Sequence, residues 1–172
     1  MKAMAKKTQL AKRKHPRLKD YDYSSAGAYF VTICTNKRKC LLSSIVGRGL
    51  APAEVVTTQY GKIAEQELLA LHNRFPFISI ARYVIMPNHI HVIISMDAPA
   101  AGASPRPTLT DIVCAYKSIT ARKCRESQII DKVFQASFYE HIIRGQKDYE
   151  EIEKYILENP SRWHLDKLYS EE

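Results

Sequence analysis

The chain has 172 residues, 45% of them hydrophobic, which suits one compact domain with an apolar core but hardly two. No run of about 18 consecutive apolar residues occurs, which excludes a membrane-spanning helix, and the N-terminus lacks the apolar stretch of a secretory signal. We therefore predict a cytoplasmic protein with no membrane partner.

The net charge of +8 is concentrated at the N-terminus. Residues 1–19 hold eight of the 26 basic residues and no acidic one, so the remaining 18 basic residues balance the 18 acidic ones. We predict a flexible basic arm over residues 1–20 and a single domain over residues 21–172. Basic side chains bind phosphate backbones by displacing condensed counterions, and Lys12, Arg13 and Lys14 are candidates for such a contact. The alternative is a solvated tail that only aids solubility.

The first half of the chain alternates strand and helix patterns. Residues 28–35 are apolar and β-branched, which predicts a buried strand, and residues 37–56 contain glycines and a proline, which predicts a loop. Residues 57–72 repeat apolar side chains at helical spacing. Residues 78–86 and 89–96 are strand-like, and the Pro-Asn pair between them predicts an antiparallel hairpin.

The second half continues in the same manner. Residues 97–107 are small and flexible, and we predict a loop there. Residues 108–126 show a helical apolar face, residues 138–144 a strand, and residues 148–158 a helix that Asn159-Pro160 ends. Helices joined to a few mainly antiparallel strands in this order predict an α+β fold of the ferredoxin-like type.

Two histidines in the second hairpin strand suggest a metal site. His89 and His91 are two residues apart in a strand, so their side chains project from the same face. Two neutral imidazoles can share one divalent ion, and additional oxygen ligands would suit Mg²⁺ or Mn²⁺. The short pattern also arises by chance on the polar face of a half-exposed strand. Two imidazoles are too few to hold an ion, so a third ligand must come from elsewhere.

The C-terminal helix offers a nucleophile and a third ligand. Tyr155 and Asn159 lie four residues apart on one helical face, whereas Tyr149 lies about 240° round the helix from Tyr155. A tyrosine hydroxyl can attack a phosphodiester that a metal polarises, and an asparagine oxygen can complete the ligands of that metal. On these residues alone, the simpler interpretation is a core aromatic followed by a helix-ending asparagine.

Four segments follow one another along the chain: YFVT (29–32), YVIMPNHIH (83–91), FYEHIIR (138–144) and YILENP (155–160). In this order they resemble the single-tyrosine HUH transposases, which are the insertion-sequence-200-like enzymes, and especially their REP-associated tyrosine transposase relatives. Each segment alone is weakly informative, but all four in this order are specific. The likeness covers residues 21–163, which is most of the chain.

The resemblance implies an RRM-like palm in which His89 and His91 bind Mg²⁺ or Mn²⁺, Asn159 is the third ligand and Tyr155 is the nucleophile. It implies cleavage of single-stranded DNA near a hairpin, which leaves a 5′-phosphotyrosine and a free 3′-OH, and rejoining by the reverse chemistry. His141 matches a recurrent family position, and we expect it to support the site. Family members act as monomers or as homodimers, so both states stay open.

Basic residues of the helix over 108–126 could hold the phosphates of the hairpin, although a solvated helix face explains them nearly as well. They are Lys117, Arg122, Lys123 and Arg125. Two other functions remain open. One is a domesticated, non-catalytic hairpin-binding protein on the same scaffold, and the other is a metal-dependent hydrolase that uses activated water. The presence of the nucleophile and all three ligands favours the transposase.

Overall fold

A computed structural model describes residues 18–47, 53–98, 106–127 and 132–170. The strands are β1 (Gly27–Cys34), β2 (Ser43–Val46), β3 (Glu54–Thr57), β4 (Ile78–Ile85), β5 (His89–Met96) and β6 (Tyr139–Ile143). The helices are α1 (Gln59–Leu69), α2 (Leu71–Arg74), α3 (Leu109–Ser127) and α4 (Gln146–Glu158), with 3₁₀ turns at Asn36–Arg38 and Pro160–Leu165. Most of the predicted arm, including Lys12, Arg13 and Lys14, lies outside the described residues, as do residues 99–105 of the predicted loop.

Four strands form one antiparallel sheet in the order β4-β5-β1-β6. Helix α1 lies in the connection from β1 to β4, and α3 lies in the connection from β5 to β6. Two helical crossovers around a sheet of this strand order make the ferredoxin-like arrangement. The predicted α+β fold class is therefore confirmed.

The two faces of this sheet meet different helices. Alternate residues of β1 and β5 pack with α1 and α3 in the apolar core: Tyr29, Val31, Ile33, Ile90, Val92 and Ile94. The intervening residues face the other way, where Thr32 pairs with His91 and Cys34 pairs with His89. Helix α4 lies over this second face, because Glu153 binds Arg82 of β4 and Tyr155 contacts His91. The alternation of a β-strand thus separates the core from the histidines.

The predicted loop over residues 37–56 is wrong in part. Strands β2 and β3 lie within it and form a two-stranded antiparallel sheet, in which Ser44 pairs with Val56 and Ile45 with Val55. Their sequences, SSIV and EVVT, contain β-branched residues that suit a strand. In the sequence, the glycines and the proline fall between these two strands.

Most other elements match the predicted ones within two residues at each end. Helix α4 begins at Gln146 instead of Asp148, and the predicted helix over 57–72 divides into α1 and α2. In the described part of the chain, no helix has both the length and the apolar character that crossing a bilayer requires.

Candidate metal and nucleophile site

The two histidines of β5 are buried. His89 is fully buried and His91 is 3% exposed, so the alternative of a half-exposed polar strand does not hold. Their cover consists of α4 and the C-terminal segment, which we define as residues 160–170. The ring of Tyr155 lies 5.2 Å from that of His91, and the ring of Trp163 lies 5.9 Å from that of His89.

Asn88 fixes the hydrogen position on His89. The Asn88 amide nitrogen donates to the backbone oxygen of Leu168 at 2.7 Å and to Oγ of Ser170 at 2.9 Å, which sets the orientation of the amide group. Its Oδ1 therefore faces Nδ1 of His89 at 2.8 Å and must accept a hydrogen from it. Nε2 of His89 then keeps its lone pair, which is the form that binds a metal.

Thr32 makes a side-chain contact with the ring of His91. Its hydroxyl lies 2.9 Å from Nδ1 of His91, across the β1–β5 pair. Burial lowers the pKa of His89 to about 4, with a smaller opposing effect from the charge of Asp166. Burial, with a lesser contribution from His89, holds the pKa of His91 well below its usual value. Both imidazoles are therefore neutral at physiological pH.

The turn that carries Asn88 is held by neighbouring backbone. The backbone nitrogens of Leu41 and Leu42 each donate to the Pro87 oxygen at 2.9 Å. Leu42 in turn touches α1 so closely that a Cβ added at Gly61 would lie 2.0 Å from the Leu42 oxygen. Glycine at this position of α1 therefore permits the close approach that places the histidine turn.

Tyr155 and Asn159 of helix α4 both bond to Asp166, which agrees with the prediction from their spacing that they share one helical face. The Tyr155 hydroxyl lies 3.3 Å from Nε2 of His91 and 3.2 Å from Oδ2 of Asp166. The Asn159 amide nitrogen donates to the same Asp166 oxygen at 2.8 Å. Burial, followed by the charge of Asp166 and its hydrogen bond, raises the pKa of Tyr155 to about 12.

The donor atoms at this point fit a divalent metal ion. Within the described residues, Nε2 of His89 and Oδ1 of Asn159 are buried without a hydrogen-bond partner, which is costly unless another group binds them. One ring nitrogen of each histidine and one carboxylate oxygen of Asp166 lie within 4.8 Å of one another. Two ligands on opposite sides of one ion are roughly 4 Å apart, so small shifts would bring these atoms to a shared ion.

Comparison with known proteins identifies the family. A model described as "Transposase IS200 like" matches residues 53–159. An uncharacterized protein of Haemophilus influenzae (strain ATCC 51907 / DSM 11121 / KW20 / Rd) is 34% identical over 173 residues, which cover 91% of this chain and 93% of that protein. The chain belongs to the IS200-like transposases. The match includes His89, His91 and Tyr155 and ends at Asn159, so Asp166 lies beyond it.

The fold of this transposase-family chain also matches a solved structure. A REP-associated tyrosine transposase bound to a REP hairpin superposes with a TM-score of 0.61, covering 88% of this chain and 76% of that one. The two sequences are 22% identical, so the similarity concerns the fold. It agrees with the mainly antiparallel sheet and packed helices described above.

His141 lies on the outer strand β6, where it pairs with Phe30 of β1. Its Nε2 contacts both carboxylate oxygens of Asp148, at 3.1 and 2.9 Å, and Asp148 also accepts from the Arg144 backbone nitrogen at 2.8 Å. Asp148 is in the first turn of α4, so these contacts join β6 to the start of the helix that carries Tyr155.

The basic residues of α3 are partly engaged within the fold. Lys123 forms an ion pair with Glu67, and Lys117 donates to the Ala136 oxygen at 2.8 Å. Arg122 makes a long contact of 3.8 Å with Glu126, one turn later. Arg125 lines an open groove with Lys117 and Lys132, and it has no ion-pair partner among the described residues. Three of the four basic residues predicted to contact phosphates therefore already have a partner in the fold.

Sequence reasoning missed three residues around the site: Thr32, Asn88 and Asp166. The sequence pattern indicates only a turn at Asn88 and a strand at Thr32, although each of these residues hydrogen-bonds a histidine ring. Asp166 follows the predicted helix by eight residues and carries no motif. A cavity of about 400 Å³ beside Tyr155 is also lined by Arg162 and Lys167, which no sequence pattern singled out.

Proposed function

We propose that this protein is a metal-dependent DNA transposase that cleaves and rejoins single-stranded DNA near hairpins through a phosphotyrosine at Tyr155. The observation that carries the proposal is the position of the Tyr155 hydroxyl, 3.3 Å from Nε2 of His91. On the same helix, Oδ1 of Asn159 is buried and lacks a partner among the described residues. Tyr155 and Asn159 also bond to the same oxygen of Asp166, which supports a shared site for the proposed nucleophile and ligand.

His89, His91 and Asn159 would hold Mg²⁺ or Mn²⁺ in this proposal. The ion, when bound, polarises the scissile phosphate and neutralises the charge that develops on it. Asn88 and Thr32 orient the two imidazoles: Asn88 accepts the Nδ1 hydrogen of His89, and the Thr32 hydroxyl hydrogen-bonds Nδ1 of His91, so the Nε2 atoms are left for the ligand role.

Tyr155 would attack the scissile phosphorus through its hydroxyl oxygen. The hydroxyl gives up its proton as a bond forms between that oxygen and phosphorus. The bond from phosphorus to the 3′ oxygen breaks, and the 3′ oxygen takes up a proton to leave as a hydroxyl, so one proton is lost and one is gained. The DNA 5′ end is then held as a phosphotyrosine. Attack by another 3′-OH on that ester reverses the bond changes and joins the strands without ATP.

DNA would lie across the open edge of the site. Tyr155 is 44% exposed, and the adjoining cavity is lined by Arg162 and Lys167, whose charges suit a phosphate backbone. Arg122 and Arg125 of α3 are further candidates for contacts with the hairpin phosphates, with Lys117 and Lys123 contributing where their present partners release them.

The test is a covalent adduct with labelled single-stranded hairpin DNA in Mg²⁺ or Mn²⁺. We expect the wild-type protein to form an adduct that survives denaturing electrophoresis. Tyr155→Phe should abolish it, because the phenyl ring keeps the packing and removes the attacking oxygen. Tyr149→Phe is the matched control on the same helix and should retain the adduct.

Three outcomes would contradict the proposal. An adduct that survives in Tyr155→Phe would place the nucleophile elsewhere. Nicked DNA without an adduct would indicate a hydrolase that uses activated water. Hairpin binding by the wild-type protein with neither nick nor adduct, in both metal ions, would favour the domesticated binding protein.

A further inference from the structure

Asp166 occupies the site without belonging to the predicted ligand set. It lies beyond residues 53–159, which the family model matches, and eight residues after α4 ends. Nevertheless, one of its carboxylate oxygens lies within 4.8 Å of a ring nitrogen of each histidine. At this distance the three atoms could bind one ion. In the described part of the chain, this is the acidic residue that groups with the two histidines.

We propose that Asp166 is a further ligand of the divalent ion, supplied by the C-terminal segment. This inference rests on the proposed metal site at His89, His91 and Asn159. It adds a carboxylate to that site and joins metal binding to the docking of residues 160–170.

Charge provides the first argument. An imidazole that binds a metal is neutral, and an amide oxygen is neutral as well, so those three ligands leave the double charge of the ion uncompensated. The site is buried, where an uncompensated charge is costly. Mg²⁺ and Mn²⁺ favour oxygen ligands, and a carboxylate supplies both the oxygen and a negative charge.

The anchoring of the segment provides the second argument. On the C-terminal side of Asp166, the Asn88 amide holds the Leu168 oxygen, and the Ser170 hydroxyl donates to the Arg38 oxygen at 3.1 Å. On the N-terminal side, Trp163 packs against His89. Asp166 thus lies between two points where the segment is fixed to the histidine turn, so its carboxylate is held at the site.

Asn88 connects the two parts of this arrangement. The same amide group accepts from the ring of His89 and donates to the backbone of Leu168. A shift of the segment would therefore disturb the orientation of a histidine ligand. If Asp166 binds the ion, the ion favours the docked segment, and the docked segment increases the affinity for the ion by the same factor.

Titration of the full-length protein with Mn²⁺, in the absence of DNA, tests the inference by calorimetry. We expect Asp166→Asn, which keeps the shape and removes the charge, to weaken binding by about 10-fold or more, and His91→Gln to weaken it further. Glu158→Gln is the matched control, because it removes a nearby carboxylate that pairs with Arg162 instead. It should bind within about 2-fold of the wild type, since surface charges act weakly at a distance.

A second measurement needs no variant and uses the wild-type protein with and without Mg²⁺. Amide hydrogen exchange should slow at Leu168, whose backbone nitrogen donates to Asp166 Oδ1 at 2.6 Å. The fluorescence of Trp163, the single tryptophan of the chain, should also change. Unchanged exchange at residues 166–169 while the histidine ring signals respond to Mg²⁺ would overturn the inference.

The remaining outcomes of the Mn²⁺ titration also test the inference. Wild-type affinity or a higher affinity for Mn²⁺ in Asp166→Asn would show that the carboxylate is no ligand or competes with the ion, and either result overturns the inference. No Mn²⁺ binding by the wild type would overturn it too. The proposed function is judged separately, by whether hairpin DNA forms an adduct with Tyr155 and loses it in Tyr155→Phe.

Discussion

The two faces of the central sheet are formed by alternate residues of the same strands, yet they are buried in different ways. Toward α1 and α3, the strands present aliphatic and aromatic side chains that contact one another in a continuous core. Toward α4, the same strands present His89, His91 and Thr32, and each imidazole Nδ1 has a specific hydrogen-bond partner. One face stabilises the fold by burying apolar area, and the other holds polar atoms in fixed positions.

Burial alone therefore does not reveal the role of a residue in β5. Ile90 and His89 are adjacent and equally buried, but only the histidine retains an atom that lacks a partner within the described residues. Substitutions on the two faces should therefore have separable effects, on activity in one case and on stability in the other.

The largest effect should follow from His91→Gln. We expect metal-dependent adduct formation with hairpin DNA to fall by more than about 100-fold, beyond what residues that only orient a ligand contribute. The free energy of unfolding should change much less than the activity does, because glutamine remains polar and of similar length. Adduct assays and urea denaturation on the same preparation would check this. Retained activity would remove His91 from the site.

Ile90→Ala should give the converse result. Ile90 is fully buried in the core, and its truncation should lower the free energy of unfolding by about 2–5 kcal/mol. The folded fraction should keep its affinity for Mn²⁺, because the side chain faces α1 and α3. Denaturation curves give the first quantity and calorimetry at low temperature the second. Loss of metal affinity with intact folding would mean that the two faces are not independent.

Thr32→Val should have an intermediate effect on the metal site. The substitution keeps the shape of the side chain and removes the hydroxyl that lies 2.9 Å from Nδ1 of His91. We expect the affinity for Mn²⁺ to fall by about 10- to 100-fold, the range typical of groups that orient a histidine ligand.

Thr120→Val is the matched control for this prediction. Thr120 is a fully buried threonine of α3, on the core side of the molecule. The same substitution there should leave the affinity for Mn²⁺ unchanged. An equal loss in both variants would point to a general effect of removing a buried hydroxyl.

Asp148→Asn should have the smallest effect, at the start of α4. The Arg144 backbone nitrogen and then His141 hold the pKa of Asp148 below its usual 3.8. A lowered pKa in the folded state stabilises the protein above the usual value, and this stabilisation is lost as the pH falls through the lower value. The thermal midpoint of the variant should therefore lie slightly below that of the wild type at pH 7.

The same prediction has a pH signature. The difference in thermal midpoint between wild type and Asp148→Asn should shrink as the pH falls below 3.8, because the wild-type carboxylate then becomes protonated. A difference that stays constant from pH 7 to pH 3 would show that the charge of Asp148 does not contribute. Asp97→Asn, a carboxylate on the far end of β5, provides the comparison for unrelated acid effects.

Local periodicity in the sequence predicts most of the strands and helices and which side chains share a face. The two-residue repeat of a strand places His89 and His91 on one face, and the four-residue spacing in a helix places Tyr155 beside Asn159. The order of strand and helix patterns also predicted the α+β class. The division into an arm and one domain, and the roles of the basic residues, stay predictions.

The contacts that these side chains make across elements follow from the tertiary structure and not from any local pattern. His91 and Tyr155 are 64 residues apart, and their contact depends on how α4 packs over the sheet. Asn88 and Leu168 are 80 residues apart, and no periodic pattern links a turn to a C-terminal segment. Asp166 carries no motif, and β2 and β3 depend on each other for their pairing. Periodicity sets the direction of a side chain within its own element, whereas its partners are set by packing between elements.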